Sequence, residues 1–263
     1  MKLRSFRGIG AVVTGASSGI GRALALELAA RGAGVALVAR RADRLEAVAD
    51  EIARAGGRAL PLCADVSSRA EVENAAKRAR AELGPIDLLV NNAGRARHAP
   101  FLDWDLDDAE AMLAVNLLGG MYWARAVLPE MLERRRGWLV FVASAAGKTG
   151  TPYESAYAAS KFALVGLAES VSHEVEPRGL HVLTVIPGTF RTELFDAEGW
   201  AQMPAVARNM VREPEELARR VVRALQRGEH ELYAPRRLRW AELVRGISPG
   251  LYRRIVRRVS ARD

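Results

Sequence analysis

Tyr157 and Lys161 stand four residues apart in the stretch SAYAASKFAL (155–164), with only alanine and serine between them. On a helix this spacing puts both side chains on one face, one turn apart. An ammonium beside a phenol favours the phenolate and lowers the tyrosine pKa from its usual ~10. A tyrosine so tuned can serve as a general acid or base near neutral pH. The same ten residues also read as an amphipathic helix with one aromatic anchor and one surface lysine, so the rest of the chain has to decide.

A second signature is TGASSGIG (14–21), where Gly15, Gly19 and Gly21 let the backbone turn sharply and approach a pyrophosphate. The free N–H groups and partial positive charge of a following helix would then hold the anion. The spacing is G-x-x-x-G-x-G, and a tight turn without a ligand uses the same residues. Further on, ALVARRADRL (36–45) has Ala39, Arg40 and Arg41 where a dinucleotide fold with a ribose-binding carboxylate would be acidic. The planar fork of an arginine suits a 2′-phosphate instead, which predicts NADP(H) in preference to NAD(H). A solvated basic turn is the alternative, since arginine is abundant throughout.

The elements that must position these residues are legible as apolar runs alternating with helix-patterned segments. Strands are expected at 9–15, 34–40, 59–66, 86–94, 137–144, 181–188 and 230–235. Segments such as ADRLEAVADEIARAGG and SRAEVENAAKRARAELG lie between them, opened by Asp or Ser and closed by Gly. Continuous apolar strands alternating with helices imply a parallel sheet covered on both faces. Right-handed crossovers then make it an α/β Rossmann-type, doubly wound fold of seven strands in a single domain, with ligands at the strands' carboxyl ends.

Bulk composition fits a folded chain of 263 residues, 49% hydrophobic and 27% charged. The single cysteine, Cys63, excludes an intrachain disulfide and a thiolate metal cluster, and its place in RALPLCADV reads as a buried strand residue. No His, Cys or Asp cluster has metal-ligand spacing, so no metal is expected, and His98 in GRARHAP reads as a pocket-rim or surface residue. The net charge of +8 is concentrated in the tail 236–263, which holds nine arginines against Glu242 and Asp263. Without a recognition helix, zinc finger or RNA-binding aromatic motif, that charge predicts no nucleic-acid partner. The basic and apolar start MKLRSFRGIGAVV imitates a secretory signal but breaks early into polar TGASSG, so it reads as the first strand of a cytoplasmic protein. No run of about 18 apolar residues is evident that would span a bilayer.

TGASSGIG (14–21), Asp65-Val66, NNAG (91–94), Asn116 in VNLLGG, Ser144 in VASAAG, YAASK (157–161) and PGTFRT (187–192) occur in this order. Together they resemble the short-chain dehydrogenase/reductase family over residues 8 to about 235. The resemblance implies a catalytic set of Asn116, Ser144, Tyr157 and Lys161. Tyr157 would exchange a proton with a substrate carbonyl or alcohol oxygen. Ser144 would hydrogen-bond that oxygen, Lys161 would tune the tyrosine and hold the nicotinamide ribose, and Asn116 would extend a proton relay from Lys161. It also implies cofactor contacts. Gly15, Ser18, Gly19 and Gly21 would form the pyrophosphate turn with the Ile20 amide, and Ser17 and Arg40 would meet the 2′-phosphate. Asp65 and Val66 would meet the adenine, Asn92, Ala93 and Gly94 the ribose, and Pro187, Gly188 and Thr192 the carboxamide.

Two departures from the family pattern matter. The usual hydrophobic C-terminal strand, which packs tetramers, is replaced by a basic tail. A homodimer or another homo-oligomer is therefore expected in place of that tetramer. In the tail, Leu251, Ile255 and Val256 interleave with Arg253, Arg254, Arg257 and Arg258. This 236–263 extension reads either as an amphipathic helix on an anionic inner membrane surface or as a helix that closes the pocket or a dimer contact. The second departure is the lid at about 190–212, whose Trp200, Met203 and Met210, with Tyr153 and Leu194, give an apolar wall beside Ser144. That wall suits a lipophilic ketone or secondary alcohol. The expected activity is NADP(H)-dependent hydride transfer to or from such a substrate. A 3-oxoacyl-thioester reductase and a non-catalytic NADP-binding regulator are the alternatives, and the intact catalytic set argues against the last.

Overall fold

Every apolar run named above becomes a strand of one sheet. The computed structural model describes residues 1–194 and 211–260. Its strands are β1 Gly10–Thr14, β2 Gly34–Ala39, β3 Arg58–Cys63, β4 Ile86–Asn91, β5 Gly137–Val142, β6 Leu180–Pro187 and β7 Glu231–Ala234. All pair in parallel, in the order β3-β2-β1-β4-β5-β6-β7. The order reverses between β1 and β4, and such a switch point opens a crevice at the strands' carboxyl ends.

Every residue of β1, β4, β5 and β6 is buried, which is why these strands lack polar alternation. Side chains alternate between two layers. Ala11 and Val13 point into one layer with Leu24 and Leu28 of α1 (Gly19–Ala30), Leu45 and Ile52 of α2 (Ala42–Arg54) and Leu217 and Val221 of Pro214–Arg227. Val12, Leu89 and Phe141 point into the other, with Val72 of α3 (Arg69–Leu83), Trp123 and Val127 of Gly119–Glu133 and Leu164 of Ser155–Val175. The remaining helices are thus α4 Leu106–Leu113, α5 Gly119–Glu133, α6 Ser155–Val175, α7 Pro214–Arg227, α8 Leu238–Ile247 and α9 Pro249–Ser260.

Three features depart from the expectations. Cys63 is exposed, because it ends the edge strand β3, and its thiol donates to Arg40 O at 3.3 Å. Leu106–Glu133, formed by α4, a π-helical turn at Ala114–Leu118 and α5, is long and apolar enough to cross a membrane by length and composition. Part of it packs against α3, α6 and β4, while Leu106, Leu113, Leu118 and Met121 on it are exposed. Finally, α8 is tied to the sheet layers. Lys148 donates to Glu242 at 3.0 Å, the Tyr233 hydroxyl donates to the same carboxylate, and Arg245 donates to Lys148 O at 2.6 Å. Outward from this attachment, Trp240, Leu243, Ile247, Leu251 and Ile255 are exposed among the arginines of α8 and α9.

Candidate active site

Each strand from β1 to β6 hands over to an expected site residue at its carboxyl end: Gly15, Arg40, Asp65, Asn92, Ser144 and Gly188 respectively. The turn after β1 is closed against β4. A Cβ at Gly15, whose φ is +66°, would lie 2.9 Å from Ala93 Cα, and one at Gly21 would lie 2.2 Å from Gly15 O. Thr14 Oγ1 accepts from the amides of Asn92 and Ala93, each at 2.9 Å, and Asn92 Nδ2 donates to Thr14 O at 2.9 Å. Gly19 and Ile20 then open α1, with Ser18 at the N-cap making no side-chain cap bond. The first-turn amides of α1 are therefore presented to an anion rather than to a serine oxygen.

An anion-binding arrangement also forms beside this turn, with a different arginine from the one expected. Arg41 Nη2 donates to Ser17 Oγ and Ser18 Oγ, each at 3.0 Å, and its Nη1 donates to Glu193 at 2.9 Å. Arg44 reaches the same carboxylate at 2.6 Å. These two guanidinium groups hold the Glu193 carboxyl below the ordinary carboxylate range. Arg40 instead points toward Asp65 at 3.8 Å, with 75% of its side chain exposed. Burial raises the Asp65 pKa, but hydrogen bonds from the Ser67 hydroxyl and amide, with Arg40, bring it below the usual value. Val66 is buried against Gly119, where a Cβ would lie 2.9 Å from Val66 Cγ2. The choice of Arg40 over Arg41 was not decidable from ARRADR. Glu193 carried no sequence signal at all, since it meets Arg41 only through the fold.

Tyr157 and Lys161 are brought together as their spacing suggested, and Ser144 joins them as the family resemblance implied. Tyr157 is 4% and Lys161 4% exposed, and the Lys161 ammonium lies 5.9 Å from the Tyr157 ring centroid. Ser144 hydrogen-bonds the Tyr157 side chain. The charge effect expected between the pair does not prevail. Burial raises the Tyr157 pKa well above its normal value, against the lowering effect of the Ser144 hydrogen bond. Burial also lowers Lys161 to about 8. Lys161 Nζ spends its hydrogen bond on Val142 O at 3.0 Å, so its charge is directed at the end of β5 rather than at the phenol.

Asn116 sits in the π-helical turn, 2% exposed. Its Oδ1 accepts from Arg95 N at 2.8 Å, and its Nδ2 donates to Arg95 O at 3.0 Å and Ser160 Oγ at 2.9 Å. Such π-turns are frequent at functional sites because they aim one side chain out of helical register. Gly94 lies between: a Cβ there would be 3.3 Å from Asn116 Oδ1 and 3.5 Å from Lys161 Nζ. Asn116 and Lys161 thus both approach the segment Asn92–Gly94.

Pro187 ends β6 and Gly188 N donates to Ala234 O at 2.8 Å. Thr192 lies over the glycine turn, where its Cγ2 would be 2.9 Å from a Cβ at Gly19. Leu194, Ala96, Trp104 and Phe162 pack against a small apolar cluster of Met112, Ala146, Tyr157 and Ala158. Tyr153, with φ +68°, is half-buried beside it, and its carbonyl accepts from Ala99 N at 2.9 Å. His98 is buried against Glu154 at 2.7 Å, not on the surface. Trp200, Met203 and Met210 lie outside the described residues.

The family model described as short chain dehydrogenase matches residues 10–202. A 3-ketodihydrosphingosine reductase of Bos taurus is 39% identical over 227 residues, covering 82% of this chain and 68% of that protein. A short chain dehydrogenase of Pseudocercospora fijiensis is 42% identical over 186 residues, 70% of this chain, and the chain spans only 60% of its length. Among solved structures, a short-chain type dehydrogenase/reductase from Mycobacterium marinum superposes with a TM-score of 0.81 at 33% identity, over 88% of this chain and 96% of that one. A metagenomic short-chain oxidoreductase in complex with NADP superposes at 0.75 with 34% identity, over 87% of this chain and 97% of that one.

Proposed function

The chain belongs to the short chain dehydrogenase family of NAD(P)-dependent oxidoreductases, and from that premise we propose that it is an NADP(H)-dependent reductase of a long-chain ketone. The observation that carries the proposal is the buried contact of Ser144 with Tyr157 beside Lys161, at the crevice mouth and against the apolar cluster of Met112, Ala146 and Leu194. When bound, the nicotinamide cofactor supplies the hydride.

The protein's own part is the proton. Tyr157, held as the neutral phenol by burial, donates to the substrate oxygen as negative charge develops there, and Ser144 hydrogen-bonds the same oxygen. Lys161, the titratable group beside Gly94, returns a proton to the phenol, while Asn116 holds the Arg95 backbone next to the same position. Arg41, which pairs with the Glu193 carboxylate and donates to the Ser17 and Ser18 hydroxyls, holds the 2′-phosphate together with those serines, and the α1 amides hold the pyrophosphate. The turn fits a dinucleotide on this evidence, since Ser18 leaves the helix amides uncapped and Glu193 occupies the anion position. Pro187, Gly188 and Thr192 border the nicotinamide position, and Asp65 and Asn92 to Gly94 border the adenosine.

For the substrate, the named activity of the bovine relative and the exposed apolar residues of α8 and α9 support a long acyl or sphingoid-type ketone reached from a membrane surface. The 236–263 extension then serves as a peripheral contact with anionic lipid, its α8 end fixed beside β7. The test is NADPH oxidation followed at 340 nm across long-chain 3-keto amines, 3-oxoacyl thioesters, short ketones and aldehydes. Turnover confined to long-chain ketones supports the proposal. Turnover of 3-oxoacyl thioesters alone would replace the substrate assignment, and NADPH binding without any turnover would point to a regulator.

A further inference from the structure

All of the residues above lie at the carboxyl edge of the sheet. A separate convergence of ligating side chains lies at its amino edge. His181 is the second residue of β6, His230 immediately precedes β7, and Glu176 opens the 3-10 turn Glu176–Arg178 that follows α6. One ligand atom from each lies within 4.8 Å of the other two. Glu176 Oε1 is 3.0 Å from His230 Nδ1 and 3.8 Å from His181 Nδ1. We propose that Glu176, His181 and His230 bind a divalent transition-metal ion of the zinc class, as a structural clamp distinct from the catalytic site.

Four observations carry this. First, two imidazoles and one carboxylate form a donor set that zinc accepts, and tetrahedral ligation at about 2.0–2.1 Å sets donors roughly 3.4 Å apart. The observed Glu176–His230 and Glu176–His181 separations of 3.0 and 3.8 Å bracket that spacing, all three donors lie within 4.8 Å of one another, and water supplies the fourth ligand. Second, His181 has an oriented lone pair. Its side chain is 0% exposed, and its Nε2 donates to Glu229 O at 3.1 Å. That bond fixes the tautomer and leaves Nδ1 as the unprotonated nitrogen facing Glu176, the arrangement that outer-shell carbonyls impose on metal-binding histidines. Third, Glu176 is itself positioned, its Oε1 accepting from Val182 N at 3.3 Å. Fourth, the position has ready access, since the His230 side chain is 63% exposed. The Met1 amino group, 3.3 Å from His181 Nδ1, donates to that lone pair in the ion-free protein, and an ion replaces it there.

The clamp would join the end of α6 to the starts of β6 and β7. β6 rises about 3.3 Å per residue, so its eight residues set His181 roughly 20 Å from the Pro187 end. The ion therefore takes no part in proton transfer. It is a stability device, and the separation of 176, 181 and 230 in sequence explains why ligand spacing gave no sign of it.

The experiment is titration of the full-length, untagged, chelator-treated protein with Co²⁺, read by visible d–d absorption, with Zn²⁺ as competitor. One equivalent giving the intense bands of four-coordinate cobalt, displaced by Zn²⁺, is expected. His230→Gln, at an exposed position, should weaken Co²⁺ binding at least tenfold and abolish the Zn²⁺-induced rise in Tm. Glu176→Gln should do the same, while His173→Gln on exposed α6 surface should leave both unchanged. Substoichiometric binding, six-coordinate spectra, or full binding by His230→Gln would overturn the proposal. None of these readouts involves NADPH or a ketone, so the catalytic assignment stands or falls separately.

Discussion

Arg41 and Arg40 offer a sharp test of how this site reads its cofactor. Arg41 contacts both serines of the glycine turn at 3.0 Å, whereas the nearest partner of Arg40 is Asp65 at 3.8 Å. A hydrogen bond to a charged group contributes about 1.5–3 kcal/mol. Because the Arg41 side chain is 42% exposed, the lower end applies, and about 1.4 kcal/mol corresponds to tenfold in Kd. Arg41→Ala should therefore raise the NADPH Kd about tenfold and leave NADH within about twofold, while Arg40→Ala should change NADPH by less than about threefold. Glu193 competes for the same guanidinium groups at 2.9 and 2.6 Å. Exposed ion pairs are each worth about 0.2–1 kcal/mol, so losing both in Glu193→Gln should tighten NADPH by roughly two- to thirtyfold. Fluorescence titration of both cofactors against the three variants measures all of this. A larger loss from Arg40→Ala than from Arg41→Ala, or weaker NADPH binding in Glu193→Gln, would refute the placement of the 2′-phosphate at Arg41.

Tyr157→Phe should lose about 10²–10⁴-fold in kcat while keeping its NADPH Kd, since only the proton donor is removed; steady-state kinetics and cofactor titration separate the two. Lys161, whose folded pKa is lowered from 10.5 to about 8, binds fewer protons folded than unfolded between those values, so its contribution to stability rises with pH across that window. Lys161→Met should thus be more stable than wild type at pH 7, with the Tm difference shrinking toward pH 10; a constant difference would contradict the burial account. Gly21→Ala, whose Cβ would meet Gly15 O at 2.2 Å, should destabilise by about 1–3 kcal/mol or more in denaturant unfolding and release NADPH. Replacing Arg253, Arg254, Arg257 and Arg258 with Glu should abolish co-sedimentation with anionic vesicles and leave neutral vesicles unaffected.

The frame was legible because burial on both faces imposes unbroken apolar runs, and all seven predicted strands overlap the observed ones, with ends that differ by up to three residues. The Tyr157–Lys161 pair was legible for a local reason, since four residues on one helix fix their proximity, whereas Ser144 at the end of the preceding strand was legible only through the family resemblance. What escaped was set by contacts far apart in sequence. Glu193 meets Arg41 across 152 residues, and His230 meets Glu176 across 54. Cys63 was misassigned because an apolar run does not say whether its strand is central or at the edge.

The Tyr157–Lys161 pair shows how a correct spacing can still mislead about electrostatics. Coulomb attraction between two groups weakens with distance, while the cost of burying a charge is borne by each group alone. With the ammonium 5.9 Å from the ring centroid and bonded to Val142 O, desolvation dominates both residues. It keeps the phenol protonated and makes the lysine a weaker acceptor of charge than sequence proximity suggests. A neutral phenol is the form that the proposed carbonyl reduction consumes. In the oxidative direction the same site must first remove that proton. Under the proposed mechanism Lys161, beside Gly94, is the group that passes that proton on.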